Sequence, residues 1–405
     1  MKQNSCSSGD SFLFGALVLL VGSIVRIGAS IYLPAMPLIG EELGISPARM
    51  SDTLSLYFLV FASFILFAGM LSDAYGRKPL LLAGMSLFIA GSVLCALSDG
   101  YASLMAGRAL QAFGASMIPG TLVAMVRDAC SDMRIVSLMG WLAVLGGLFL
   151  VAAPVIGGFL TAWFGWSANF WFLVFFTAIA LAATLFKIPE THPPGAHRIP
   201  LHLGDTLKRL ATMLRSADFL LVLAPVIAFF AIQGAFLAAA PYVVMGTYGL
   251  GPVAFGASNV VIVAGLFAGR WGGARLYRHV GGATLYRYGA LASALSALLF
   301  GLLGLGIVSG LWGFLGVVGF FAAIFGAMAP VGMKSSVTAF RAHSGIAAAL
   351  QGMLLMGASA LGSMATGAMM HGTSLDAQGA FALVSALLCF VAAWAAYRSK
   401  PDMMK

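Results

Sequence analysis

Long apolar runs separated by short polar turns fill this sequence from residue 12 to residue 397. A transmembrane helix requires about 20 consecutive, mostly apolar residues. Runs long enough to meet this requirement cover residues 12–38, 52–72, 79–97, 102–126, 135–162, 165–187, 219–245, 253–274, 284–307, 310–332, 345–370 and 377–397. These runs are continuously apolar and do not alternate with a period of two, so they predict helices and not a barrel. The pattern therefore predicts an all-α polytopic membrane protein with twelve transmembrane helices.

The longest polar segment, residues 189–217, divides these runs into two sets of six. We therefore predict an N-terminal six-helix bundle (1–188), a central cytoplasmic loop (189–217) and a C-terminal six-helix bundle (218–405). Leu203 to Leu214 has the pattern of an amphipathic surface helix with a basic side at the lipid headgroups. Repeated halves of this kind place a substrate cavity between them, near the middle of the bilayer.

Composition excludes a soluble protein, because 61% of the residues are hydrophobic, only 9% are charged and the mean hydropathy is +0.99. Soluble proteins are about 45–50% apolar and about 25% charged. The net charge of +9 is explained by lysine and arginine concentrated on one set of loops, and not by binding to nucleic acid. This asymmetry predicts that both termini are cytoplasmic. We expect no cleaved signal peptide.

No enzyme signature occurs, and no phosphate-binding Gly-x4-Gly-Lys-Ser/Thr loop is present, so ATP does not power the protein directly. The four cysteines form no CxxC pair, and we assign no disulfide, metal or cofactor. The expected partners are a small-molecule substrate, protons as coupling ion and the lipid bilayer.

A short charged turn lies between the second and third runs, with the pattern Gly69-x3-Asp73-x2-Gly76-Arg77-Lys78. Glycine has no Cβ and allows the backbone to turn tightly at the bilayer face. This spacing resembles the signature loop of the major facilitator superfamily, which implies two pseudo-symmetric six-helix bundles and a conformational gate at this turn. The segment from Gly265 to Arg275 follows the eighth run in the same way and weakly repeats the pattern.

Further motifs occur in the order that this superfamily uses. They are Arg108-x2-Gln111 in the fourth run, Gly146, Pro154, Gly157 and Gly158 in the fifth, and Pro189-Glu190-Thr191 after the sixth. Together they resemble drug:H⁺ antiporters of the Bcr/CflA type. The resemblance implies multidrug efflux from the bacterial inner (cytoplasmic) membrane, antibiotic resistance and a monomeric protein. Pro154 and the glycines around it predict a bent helix with a smooth surface against which another helix packs and rocks, and a purely structural kink is the alternative.

Arginines within the runs are the strongest functional candidates, because a charge in hydrocarbon is costly and is usually functional. Arg26 lies midway along the first run and either binds an anionic substrate group or makes a structural pair. The resemblance implicates Arg108 in proton movement, and the alternative is a packing anchor. No acidic residue lies near the middle of any run. Asp52 and Asp128, at run ends, are the candidate proton carriers, and solvated loop-end acids are the alternative.

Other polar and aromatic side chains within the runs complete a predicted substrate cavity. Its members are Arg26, Ser30, Tyr32, Tyr57, Gln111, Gln233, Asn259 and Gln351. Each either lines the cavity or makes a helix–helix hydrogen bond, because lipid offers polar groups no partner.

Three functions fit these patterns. The first is a secondary active exporter of small amphipathic compounds, including antibiotics, by proton antiport with alternating access. The second is an exporter dedicated to an anionic or zwitterionic metabolite, such as a siderophore, nucleoside or organic acid. A remote third is a membrane sensor that transports nothing.

Overall fold

The structure, a computed structural model, describes residues 8–191, 203–338, 340, 344–372 and 377–399. Within these ranges every regular element is helical. The helices are α1 (Ser8–Ser30), α2 (Met36–Glu42), α3 (Pro47–Tyr75), α4 (Arg77–Ala96), α5 (Tyr101–Ala129), α6 (Asp132–Phe164), α7 (Ser167–Lys187), α8 (Leu203–Leu214), α9 (Ala217–Pro241), α10 (Pro252–Gly304), α11 (Gly310–Thr338), α12 (Ser344–Gly372) and α13 (Ala377–Arg398).

Eleven helical segments of the described chain, with α1 and α2 counted as one, are long and apolar enough to cross a membrane. One of them, α10, runs for 53 residues and contains Gly281 with a non-helical backbone (φ 75°, ψ 169°). The chain turns at Gly281, so the two parts of α10 are separate spans. The prediction of an all-α polytopic membrane protein with twelve spans is confirmed.

The first span is interrupted. A 3-10 turn from Leu33 to Ala35 separates α1 from α2, and every residue of that turn is buried. Pro34 explains the interruption, because proline lacks the N–H that an α-helix needs and collides with the preceding turn. The break holds Tyr32, which is fully buried, inside the bundle and not on its surface.

The predicted repeat of the charged turn is wrong in its position. Residues Gly265–Arg275 are helical, because α10 continues past them to the turn at Gly281. Gly281 has nearly the same backbone conformation (φ 75°, ψ 169°) as Gly76, where φ is 104° and ψ is 159°. The second half therefore turns at Gly281, several residues later than its glycine pattern predicted.

The glycines of that misplaced repeat form a stripe along one side of α10. Gly265, Gly269 and Gly273 lie against Gly319, Ala323 and Ala327 of α11. A Cβ added to Gly273 would lie only 2.6 Å from the Cα of Ala327, closer than folded proteins tolerate. Small residues at four-residue intervals let two membrane helices approach until their backbones touch. The pattern therefore specifies helix packing within the second half.

The two halves meet where α6 packs against α10. They meet near the connection from α6 to α7. We call this side of the bundle the Trp166 end and the opposite side the Gly76 end. A Cβ on Gly256 would lie 2.6 Å from the carbonyl oxygen of Pro154, and a Cβ on Gly158 would lie 2.8 Å from the carbonyl carbon of Pro252. The halves are therefore in backbone contact at the Trp166 end.

A second contact between the halves joins α3 to α12 at the same end. The Oγ of Ser363 donates a hydrogen bond of 3.3 Å to the carbonyl oxygen of Ser51, and both serines are fully buried. A Cβ on Gly367 would lie 3.3 Å from the carbonyl oxygen of Ala48. The Trp166 end is thus closed along two seams, one on each side of the bundle.

The amphipathic helix predicted from Leu203 to Leu214 is present as α8. Leu210 and Met213 are buried, and α8 contacts α9 and α12. Lys208 and Arg209 are exposed on its other side. The apolar side of α8 therefore packs on the second half of the protein itself.

Candidate functional site

A fully buried arginine, Arg108 of α5, forms the centre of a polar cluster inside the first half. Its Cζ lies 4.2 Å from the ring centroid of Tyr32 and 4.3 Å from that of Tyr57. One Nη atom donates to the Oε1 of Gln111 and, at 3.3 Å, to the carbonyl oxygen of Gly28. Each desolvated cation–π contact contributes about 1–2 kcal/mol. The two tyrosines therefore stabilise a positive charge that forms no ion pair with a carboxylate of the described residues.

This cluster retains unused hydrogen-bonding capacity. The Nε and the second Nη of Arg108 and the hydroxyl of Tyr57 are buried without a hydrogen-bond partner among the described residues. Gln111 is satisfied, because its Nε2 donates 2.8 Å to the Oγ of Ser92. The predicted role of Arg108 in proton movement stays a prediction.

Glycines place this cluster in the interior, because they let α4 and α5 approach closely. A Cβ on Gly84 would lie 2.9 Å from the carbonyl oxygen of Gly114, and a Cβ on Gly107 would lie 2.6 Å from the Sγ of Cys95. The tight crossing buries the polar side of α5, which carries Arg108 and Gln111.

Arg26 of α1 contrasts with Arg108, because its side chain is exposed. A Cβ on Gly146 of α6 would lie 3.6 Å from the Nε of Arg26, so the guanidinium lies directly against α6. The positive charge of Arg270, on α10 of the other half, repels that of Arg26. Within the described residues, the Arg26 side chain has neither a hydrogen bond nor an ion pair. It is a cation at the seam between the halves.

Arg270 is a site residue that the sequence pattern did not single out. The structure places it inside α10 and exposes it, about 16 Å along the helix from Gly281 at 1.5 Å per residue. Phe267, one turn earlier, packs on α6, since a Cβ on Gly147 would lie 3.1 Å from its ring. A sequence feature could have identified it, because Arg270 is a charged residue within the apolar run 253–274.

The predicted gate residues form an ion-pair cluster at the Gly76 end. Arg77 donates from one Nη to Asp73 and, at 3.0 Å, to the Oγ of Ser72, and from Nε to Asp128 at 3.0 Å. The Arg77 side chain is 11% exposed, and those of Asp73 and Asp128 are 39% and 24% exposed. The cluster joins the ends of α3 and α5 to the start of α4.

Glu190 adds a fourth segment to this cluster. Its carboxylate accepts hydrogen bonds from the backbone N–H groups of Arg77 (3.2 Å) and Lys78 (3.1 Å), which otherwise lack partners at the first turn of a helix. The Nζ of Lys78 donates 2.8 Å to the carbonyl oxygen of Leu185. A Cβ on Gly76 would lie 2.9 Å from Glu190. The Pro189-Glu190-Thr191 motif alone did not indicate this capping role.

Asp52 and Asp128, the candidate proton carriers, lie at opposite ends of the bundle. Asp52 is half-buried and accepts a 3.3 Å hydrogen bond from the hydroxyl of Tyr101. Asp128 pairs with Arg77. Neither is a free loop-end acid, and their role in proton coupling stays a prediction.

The other predicted cavity residues are not gathered into one site by the contacts of the described chain. Ser30 donates to the carbonyl oxygen of Arg26 at 3.0 Å and Asn259 donates within α10 at 3.0 Å. Gln351 accepts from a serine hydroxyl of α11 at 3.4 Å. Gln233 is half-buried on α9. Ser30 and Asn259 thus make hydrogen bonds within their own helices, and Gln351 makes one between α11 and α12. Their lining of a cavity stays a prediction.

The predicted antiporter-motif residues lie where α6 meets its neighbours. Gly146 faces Arg26, and Gly158 and Pro154 form the contacts with α10. Gly157 packs on the first span, since a Cβ there would overlap the backbone of Ile31. These glycines let α6 pack closely both on the first span and on α10 of the second half.

Comparison with known proteins identifies the family to which this chain belongs. Residues 18–306 match the family model of the Major Facilitator Superfamily. The chain belongs to that superfamily. The predicted family is confirmed.

Multidrug resistance protein MdtL from Escherichia coli (strain K12 / DH10B) is 34% identical over 194 residues, which are 47% of this chain and 49% of that protein. MdtL from Shigella flexneri serotype 5b matches over the same length at 34% identity. The chain spans about half the length of these curated relatives. Both matches support the predicted likeness to multidrug resistance proteins.

Solved structures match nearly the whole chain. A D-xylose–proton symporter aligns with a TM-score of 0.77 at 15% identity, covering 97% of this chain and 98% of its own. A peptide transporter, POT, in complex with sulfate aligns with a TM-score of 0.74 at 16% identity, covering 100% and 96%. At these identities the likeness concerns the fold alone.

Proposed function

We propose that this transporter exports small amphipathic compounds, including antibiotics, in exchange for protons by alternating access. One observation carries the proposal: the halves are in backbone contact at the Trp166 end, while Arg26 and Arg270 between them remain exposed. Such an arrangement is expected of a carrier closed on one side of the membrane. The similarity to MdtL supports drugs as cargo.

In this proposal the units that rock are residues 1–188 and 218–405, joined by the segment 189–217. The Gly76 end is cytoplasmic, and so are both termini, in accordance with the arginines and lysines of its loops. The cluster of Asp73, Arg77 and Asp128 lies within the first unit, and in this proposal it holds the ends of α3, α4 and α5 together in one state and is released in the other. The membrane is the bacterial inner membrane.

Coupling requires that a proton and the cargo each favour a different state, since a ligand shifts an equilibrium only by its differential affinity. Arg108, with free donors beside the Tyr57 hydroxyl, and the acids Asp52 and Asp128 are the candidate proton-coupling groups. Replacing either acid with asparagine is expected to abolish pH-driven flux but to spare downhill exchange of cargo. Loss of both fluxes would argue for a structural role.

The decisive experiment is transport into proteoliposomes under an imposed pH gradient, with neutral, cationic and anionic amphipathic compounds. We expect flux that rises with the gradient and falls to the level of empty liposomes when a protonophore is added. Flux that ignores the gradient would remove proton antiport from the proposal. Flux of none of the compounds would favour the sensor.

An exporter dedicated to an anionic or zwitterionic metabolite is the second candidate. Arg26, which pairs with no acidic group among the described residues, favours it. Expression of the protein in a drug-sensitive bacterium separates the two. Raised resistance to several unrelated compounds supports multidrug export, and protection against a single anionic compound supports the dedicated exporter.

A further inference from the structure

Two arginines from different halves lie at the same seam. Arg26 of α1 contacts α6 at Gly146, and Phe267, one turn before Arg270 on α10, contacts α6 at the neighbouring Gly147. The adjacent glycines thus bring α1 and α10 to one place on α6. Both arginine side chains are exposed, and their positive charges repel each other.

In the part of the chain that the structure describes, no carboxylate neutralises this pair. Within the described residues, neither Arg26 nor Arg270 takes part in an ion pair or a side-chain hydrogen bond. The apolar runs contain no carboxylate near their middle. A charge inside a membrane protein normally faces an opposite charge or a ligand. The missing negative charge is therefore expected from a bound molecule.

We infer that Arg26 and Arg270 together bind the anionic group of the transported compound, a carboxylate or sulfonate, between the two halves. This inference rests on the proposed transport function. The planar guanidinium donates paired hydrogen bonds to such groups. Phe267 is 45% exposed beside the pair and offers an apolar surface to the rest of the compound. The cargo class is an amphipathic organic anion.

An anion held by both arginines also distinguishes the conformations. It binds well only when the halves bring Arg26 and Arg270 together, because either guanidinium alone offers half of the site. Such a ligand stabilises the arrangement in which the pair is formed. Repulsion between the two empty guanidinium groups favours the other arrangement.

Binding of a matched pair of probes to the purified full-length protein in nanodiscs tests this inference. The anion 2-naphthoate and its neutral amide, 2-naphthamide, share one apolar body and differ in charge. We expect at least tenfold tighter binding of the anion. R26Q and R270Q are each expected to weaken anion binding at least tenfold and to leave amide binding unchanged, whereas R26K and R270K retain part of the preference.

Arg275, which stacks on Trp271 at 3.5 Å farther along α10, provides the control. R275Q is expected to bind both probes as the wild type does, and thermal unfolding verifies that every variant is folded. Equal binding of the two probes to the wild type, or an anion preference that survives in R26Q and R270Q, would overturn the inference.

Proton-driven transport of a neutral compound is measured with the same variants to separate the two proposals. Transport without arginine-dependent anion binding supports the proposed function and refutes the anion site. Arginine-dependent binding without any transport leaves the site standing and removes the proposed function.

Discussion

Gly256 on α10 touches the carbonyl oxygen of Pro154 on α6, and alanine at this position is expected to push the two halves apart. The added Cβ would lie 2.6 Å from that oxygen, about 0.8 Å inside the 3.4 Å at which ordinary contact begins. The oxygen belongs to a helix backbone and cannot rotate away. Overpacking of this kind costs about 1–3 kcal/mol.

That cost applies only while the Trp166 end is closed, because the contact is absent once α6 and α10 separate. A bias of about 1–3 kcal/mol changes the ratio of two states about 5- to 150-fold. G256A is therefore expected to shift the protein strongly towards the state in which the Trp166 end is open. Gly251, one residue before α10, is the matched control, because a Cβ there meets nothing within 4 Å.

Cysteine accessibility measures the shift. Ser363 is fully buried at the other seam of the Trp166 end, so S363C reports opening through its rate of reaction with a hydrophilic maleimide in nanodiscs. Labelling is expected to accelerate in the G256A background and to stay at the original rate in the G251A background. An unchanged rate in the G256A background, with the protein still folded, would refute closure by this contact.

Three further predictions concern stability, followed by thermal unfolding in detergent. G269A, whose Cβ would overlap the backbone of α11, is expected to lower the unfolding midpoint by the equivalent of about 1–3 kcal/mol. G272A, whose Cβ would meet open space, is expected to leave the midpoint unchanged. Equal effects of the two variants would refute close packing along the glycine stripe. Y57L removes a ring from the Arg108 cation and is expected to cost about 1–2 kcal/mol, whereas Y57F keeps the ring, loses only an unpartnered hydroxyl and costs nothing. R77Q is expected to cost about 1 kcal/mol, because its partners are partly exposed; added salt should then lower the midpoint of the wild type more than that of R77Q, and equal salt effects would count against the ion pairs.

The helices were predictable from the sequence because each span is a continuous apolar run, and α8 was predictable because its polar and apolar residues alternate with the helical period. The turn at Gly281 was not. Gly265, Gly269 and Gly273 resemble a loop signature when only their spacing is considered. Glycine serves a tight turn and a close helix contact equally well, and the partner that distinguishes these roles lies on α11, some 50 residues away in the chain.

The candidate site was predictable in its residue types but not in its groupings. The depth of Arg108 follows from its position in the fourth run, yet the rings that cover it come from α3 and from the break after α1. The partners of Arg77 are likewise distant, since Asp128 and Glu190 follow it by 51 and 113 positions. Such contacts depend on how helices from distant parts of the chain pack, and no local pattern encodes them.

The glycine stripe of α10 has a practical consequence for spectroscopy. Lipid tails solvate apolar side chains as well as a neighbouring helix does, so shape and not hydrophobicity holds membrane helices together. Two helices whose backbones touch along the stripe cannot move relative to each other, so α11 and the first part of α10 move as one rigid unit. A pair of spin labels placed across the stripe would thus report a constant distance throughout transport. That distance serves as the reference with which changes in the distance to α6 are compared.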